Sequence, residues 1–117
     1  MPKVRYDELT WPEMRETISQ QPVVLLPFGA VEAHGPHLPL STDNTIVETI
    51  CLEAARRALG EMLVMPLVAY GLDEHHMDFP GTVSVDIETL LSCIAAVAGS
   101  AARHGFDHIL IVNGHGS

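Results

Sequence analysis

The sequence predicts an α/β fold, a parallel sheet with helices on both faces in an αβα sandwich. Three observations predict it. Short apolar runs of strand length recur at 23–28, 63–68 and 108–113. Segments with apolar residues at helical spacing precede the first run and separate the others, giving the order αβαβαβ. The first run, VVLLPF, lacks polar alternation, which fits a strand buried on both faces. Strands joined by helices of this length run parallel, with right-handed crossovers.

Each element has a local cause. Thr10-Trp11-Pro12-Glu13 reads as a capping box with proline in the first turn, so a helix starts there. It runs to about Gln20, because Pro22 blocks it. In the first strand, Pro27 marks where the ladder stops. The segment 29–42 is a loop rich in Gly, Pro and His. A second helix begins near Asp43, carries Ile46, Val47, Ile50, Ala54, Ala55 and Ala58 or Leu59 at helical spacing, and stops at Gly60. The second strand follows at 63–68, then a loop at 70–85. A third helix runs from Asp86 or Ile87 to His104, with Gly105 just past its end. After the third strand the chain ends at Gly114-His115-Gly116-Ser117. Three strands and three helices make a thin layered domain, and the last turn is where an open α/β sheet carries its ligand site. The expectation is one domain over 1–117 that is the N-terminal part of a larger one; a complete three-strand domain is the alternative.

Composition narrows the function. A chain of 117 residues with 47% hydrophobic content buries a core without disulfides. A net charge of −9 with six Lys+Arg argues against nucleic acid as a partner, and no basic run suggests an anionic membrane surface. The N-terminus lacks the apolar region of a signal peptide, and the nearly apolar stretch 90–102 is too short to span a bilayer. The chain therefore reads as soluble and cytoplasmic. Cys51 and Cys93 have no CxxC or Cys/His spacing and read as half-buried free thiols of a reducing compartment. Seven histidines outnumber six Lys+Arg, and their placement repays attention.

In a parallel sheet the loops after the strands all leave one edge. Glu32, His34, His37 and Asp43 follow the first strand. Asp73, Glu74, His75, His76 and Asp78 follow the second, and Asn113 and His115 close the third. Glu32 and His34 stand i, i+2, so extended backbone points both the same way. With Asp43 and His115 they make two carboxylates and two imidazoles without thiolate, a donor set suited to Zn²⁺, Mn²⁺ or Fe²⁺. Four such ligands close around one ion, or serve two if Asp43 bridges and further ligands come from elsewhere. Taken singly, each residue has an ordinary reading: Asp43 as a helix N-cap, Glu32 as a solvated carboxylate, His34 and His37 as loop-fixing groups, His115 as an exposed terminal residue. The coincidence of all four at strand ends favours the metal site. His104 and His108 flank the opposite edge and read as structural, His104 lying at a helix C-terminus that favours positive charge. A dinucleotide site is disfavoured, because the first strand is followed by G-A-V-E-A-H-G in place of G-x-G-x-x-G.

The segments LLPFGAVEAHGPHLPLSTD, GLDEHHMDFPGTVSVD and GFDHILIVNGHGS resemble the creatininase family of metal-dependent amidohydrolases, from about Thr10 to Ser117. The resemblance implies an αβα sandwich, a homo-oligomer and a dinuclear centre of Zn²⁺, Mn²⁺ or Fe²⁺. It implies that Glu32, His34 and His115 hold the metals, that Asp43 bridges them, and that His76, before F-P-G-T, belongs to the substrate pocket. The implied reaction is hydrolysis of a non-peptide or cyclic C–N amide bond in a small molecule through a metal-activated water. The peptidase and deformylase branches of the family are alternatives, and so is an inactive fragment or metal-binding module needing a C-terminal part. Family members are about twice this length, and creatininase has a glutamate where this chain has Ser117, which argues against creatinine itself.

Overall fold

The computed structural model describes residues 3–116. The elements are α1 (Trp11–Ser19), β1 (Val23–Phe28), α2 (Thr42–Arg57), β2 (Met62–Val64), α3 (Ile87–His104) and β3 (Ile109–Asn113), with short 3₁₀ turns at Tyr6–Glu8 and Glu74–His76. The start and stop signals act as expected. The Thr10 hydroxyl accepts from the Glu13 N–H, and the Glu13 carboxylate accepts from the Thr10 N–H. Asp86 caps α3 by accepting from the Thr89 N–H, and Gly105 ends it at φ 113°, a conformation that glycine adopts without penalty.

The three strands form a parallel sheet in the order β2-β1-β3. Val24 pairs with Leu63 on one side and Ile109 on the other, and the β1–β3 ladder runs on to Phe28 opposite Asn113. Alternation along β1 sends Val24 and Leu26 to one face, where they pack with Leu90, Ile94 and Ala101 of α3 and with Phe106. Met14 and Ile18 of α1 close the same face. Leu25 points to the other face, against Val47, Cys51, Leu52 and Ala55 of α2. The α/β architecture with helices on both faces is therefore present. Phe106, almost wholly buried, contributes roughly 1.5–3 kcal/mol by leaving water.

Three local expectations are corrected. β2 is shorter than 63–68, because Pro66 has no N–H for the ladder; the chain still follows β1, with Val68 N–H donating to Pro27 and Gly29 N–H to Val68. On α2 the buried stripe is Val47, Cys51, Leu52 and Ala55, whereas Ile46 and Ile50 are more than half exposed on the flank towards β3. Cys51 is buried but Cys93 is exposed on α3. β3 is an edge strand among the described residues, so Leu110 and Ile111 are about half exposed. No helix among the described residues is long and apolar enough to cross a membrane.

Candidate metal centre

The order β2-β1-β3 puts a reversal of winding direction between β1 and β3. The crevice at the carboxyl ends of two such strands is where open α/β sheets hold ligands. Glu32 leaves β1 on one side of this crevice and His115 leaves β3 on the other. Asp43 lies in the first turn of α2, after the cap position Ser41. It is thus no N-cap: its carboxylate is turned to the histidines. Gly114 permits this approach, since a Cβ there would lie 2.5 Å from the Val47 Cβ and 3.2 Å from the Asp43 carbonyl oxygen. Asn113 shapes the turn, its side-chain oxygen accepting from the His115 N–H at 2.8 Å.

The loop after β2 is pinned against the first loop. Ala33 N–H donates to the Thr82 hydroxyl and Val83 N–H to the Val31 carbonyl. Asp73 N–H donates to the Ser84 hydroxyl at 2.9 Å, and the 3₁₀ turn that follows brings His76 back beside Asp73.

The result is a buried cluster. His115 Nδ1 lies 3.1 Å from both Asp43 Oδ2 and Glu32 Oε1. His34 Nε2 lies 3.0 Å from Asp43 Oδ1 and 3.6 Å from Glu32 Oε1. His76 Nδ1 lies 2.8 Å from Asp73 Oδ1 and 3.1 Å from Glu32 Oε2. Glu32, Asp43, Asp73 and His115 are all buried, and Asp73 is completely so. Glu32 Oε2 and Asp73 Oδ2 are buried without a hydrogen-bond partner.

Backbone carbonyls orient two of the rings. The Leu72 carbonyl accepts from His115 Nε2–H at 2.9 Å, which leaves Nδ1 to face the Glu32 and Asp43 carboxylates. The Glu32 carbonyl accepts from His34 Nδ1–H at 3.1 Å, leaving Nε2 to face Asp43. Imidazoles whose far nitrogen is tied to a carbonyl present a fixed lone pair, the usual setting of a metal-bound histidine.

Crowded charge shows in the proton equilibria. Burial, with the adjacent Asp43 and Asp73 carboxyls, pushes the Glu32 carboxyl up to about 7. Burial also works to raise Asp73, but its bonds with His76 and Glu32 hold it below the usual carboxylate value. The Asp73 hydrogen bond leads in raising His76. Burial works to lower His115, and the Leu72 carbonyl and the Glu32 and Asp43 charges together raise it.

All four residues expected at a metal site converge here. Glu32, Asp43 and His115 offer donor atoms within 4.8 Å of one another, and His34 adjoins them through Asp43. His76, expected at a substrate pocket, joins the same cluster through Glu32, as a member of a second compact group with Asp73 and His75. His37 is exposed, and His104 and His108 lie at the far ends of α3 and β3. Asp73 is the residue that the choice of site by sequence missed: it is one of five acidic or histidine residues at 73–78, and no spacing rule says which one turns inward. Ser117 lies outside the described residues. The donor set fits a divalent cation on two grounds. It is all oxygen and imidazole nitrogen, and it leaves buried carboxylate oxygens that protein donors do not satisfy.

The chain is similar in sequence and fold to known proteins. The family described as "Creatininase: Creatinine amidohydrolase" matches residues 7–117. The chain is 40% identical over 106 residues to the mycofactocin precursor peptide peptidase of Mycolicibacterium smegmatis, covering 87% of this chain and 42% of that protein. It is 36% identical over 114 residues to creatinine amidohydrolase of Pseudomonas putida, covering 92% and 43%. Among solved structures, a creatininase described as "Creatininase Mn" matches with a TM-score of 0.90 at 34% identity, over 97% of this chain and 46% of that one. The chain thus spans less than half the length of these relatives. With a family match over nearly all its residues, this chain belongs to the creatininase family.

Proposed function

We propose that this chain is the N-terminal, metal-holding part of a divalent-metal-dependent amidohydrolase that cleaves a non-peptide or cyclic C–N amide bond of a small molecule. The observation that carries the reading is the buried meeting of Glu32, Asp43 and His115, with the His115 ring tied back to Leu72. Glu32, His34, Asp43 and His115 would hold one or two ions of Zn²⁺, Mn²⁺ or Fe²⁺, and the two Asp43 oxygens face different histidines. When bound, such a cation acidifies water and polarises an amide carbonyl. The protein's share is positional. The Leu72 and Glu32 carbonyls fix the two imidazoles, burial of Glu32 and Asp43 keeps competing water away, and His76, about a third exposed, borders the opening where substrate would lie.

A second reading, cleavage of a peptide amide, is favoured by the 40% identity to a mycofactocin precursor peptide peptidase. Ser117, where the creatininase resemblance expects glutamate, argues only against creatinine itself as the substrate.

The test starts from protein purified without chelators and analysed for metal. Bound divalent metal and chelator-sensitive hydrolysis are expected, with a panel of cyclic amides and short peptides separating the two readings. Metal without hydrolysis, restored when a longer chain is used, would make this piece a metal-binding module. Failure to take up Zn²⁺, Mn²⁺ or Fe²⁺ would overturn the proposal.

A further inference from the structure

We propose that Asn44 is a positioning residue of the metal centre, tying the first turn of α2 to the segment after β2 and thereby setting Asp43 against His115. The inference rests on the divalent-metal reading of the centre and adds a residue that holds no metal itself.

Asn44 follows Asp43 in the first turn of α2, so the two side chains leave the helix about 100° apart. Asp43 faces the histidines, and Asn44 faces the backbone just past β1 and β2. Its Nδ2–H donates to the Ala69 carbonyl at 3.1 Å. Its side chain also lies against Gly29, the residue after β1. A Cβ at 29 would strike Asn44 Oδ1 and come within 3.2 Å of Asn44 Cγ and of its backbone nitrogen. Gly29 has no positive φ, so space and not conformation calls for glycine there. Turning α2 about its axis cannot move Asp43 without moving Asn44 against Gly29 or away from Ala69.

The same stretch of backbone holds the other side of the centre. Three residues after Ala69, the Leu72 carbonyl accepts from His115 Nε2–H at 2.9 Å. Between them Gly71 comes close: a Cβ there would lie 2.8 Å from the Gly29 carbonyl oxygen and 3.3 Å from His115 Cδ2. Residues 69–72 therefore fix α2 through Asn44 and His115 through Leu72. The 3.1 Å approach of Asp43 Oδ2 to His115 Nδ1 depends on both ties.

Stability alone does not account for an asparagine here. Asn44 is 9% exposed. A carbonyl accepts and never donates, so Nδ2 must face Ala69, and Oδ1 is left buried with no partner. A buried acceptor without a bond is destabilising, and an apolar side chain of the same shape would remove it. What such a side chain would lose is the tie to Ala69.

The experiment compares the whole chain carrying Asn44→Leu with wild type, both stripped by chelator. Thermal melts in chelator read the fold, and Zn²⁺ competition dialysis reads the centre. Asn44→Leu is expected to melt within about 2 °C of wild type or above it, because the orphan oxygen is gone. It is nevertheless expected to bind Zn²⁺ at least ~10-fold more weakly. Thr45→Ala, at an exposed position of the same turn, should match wild type in both measurements. Should Asn44→Leu fail to fold, Asn44→Ala decides, since it removes the same bond without adding bulk. A folded variant whose Zn²⁺ affinity stays within about 3-fold of wild type would overturn the positioning role. NMR separates this role from the metal reading. In metal-free protein the His115 Nε2–H should exchange with water at least ~10-fold faster in the variant. Wild type that takes up no Zn²⁺ would overturn the metal reading. The exchange rate then decides for Asn44 by itself: faster exchange supports the tie, and unchanged exchange overturns it.

Discussion

Replacing Gly114 with alanine would drive a methyl group into the start of α2. Its Cβ would lie 2.5 Å from the Val47 Cβ and 2.9 Å from its Cγ1, where carbon atoms normally rest about 3.5–4.0 Å apart. Val47 is β-branched and 2% exposed, so it has little freedom to turn away. Either the turn after β3 or the first turn of α2 must shift by about 1 Å. The overpacking costs roughly 1–3 kcal/mol, and a domain of this size loses about 4 °C in Tm per kcal/mol. Both possible movements separate His115 from Asp43, now 3.1 Å apart, so divalent-metal affinity should fall at least ~10-fold. Gly116 is the control, because a Cβ there meets nothing within 4 Å. Thermal melts of chelator-treated protein, followed by Zn²⁺ competition dialysis, compare Gly114→Ala with Gly116→Ala. If both variants melt within about 2 °C of each other and bind metal equally, the claim that Gly114 sets the site is wrong.

Two further outcomes are expected. Phe106→Ala should lower the urea midpoint by an amount equivalent to about 3–5 kcal/mol, whereas Leu110→Ser, at a half-exposed position, should stay within about 0.5 kcal/mol of wild type. Glu13, which accepts bonds from the Thr10 N–H and from Lys3, is held down to about 2. A depressed carboxyl stabilises the fold above its unfolded value near ~4.3 and loses that contribution as the pH falls towards 2, so carboxyl NMR should show the late titration and Glu13→Gln should flatten the acid limb of the stability curve.

The fold was legible because its signals are local. The capping box at Thr10, the αL glycine at 105 and the uniform VVLLPF run act within a few residues of where they stand. Topology then did for the site what spacing alone does not, since parallel strands carry Glu32, Asp43 and His115 to one edge. What escaped depends on contacts distant in sequence. Asp73 is turned inward by Ser84 and by the 3₁₀ turn after it, and the string Asp73-Glu74-His75-His76 contains no period that marks one member as buried. Ile46 and Ile50 fit a helical stripe as well as Val47 does, but the sheet lies under Val47 and Cys51. The early end of β2 was visible in Pro66 all along.

Glu32 is where stability and function should oppose each other. Its carboxylate is 6% exposed and is grouped with Asp43 on one side and Asp73 on the other, so without a cation three acidic groups share one buried volume. Like charges so close cost the folded state, and removing one without changing its shape should relieve the strain. Glu32→Gln is that change. In chelator at pH 8 the variant should be more stable than wild type by about 1–3 kcal/mol, a trade-off common at functional sites. Adding Zn²⁺ should reverse the order, because an ion present at about 1,000 times its Kd stabilises by about 4.1 kcal/mol only the form that binds it. The paired melts read both effects. A variant less stable than wild type in chelator would mean that the histidines already neutralise the cluster, and that the carboxylates are held by protein contacts alone.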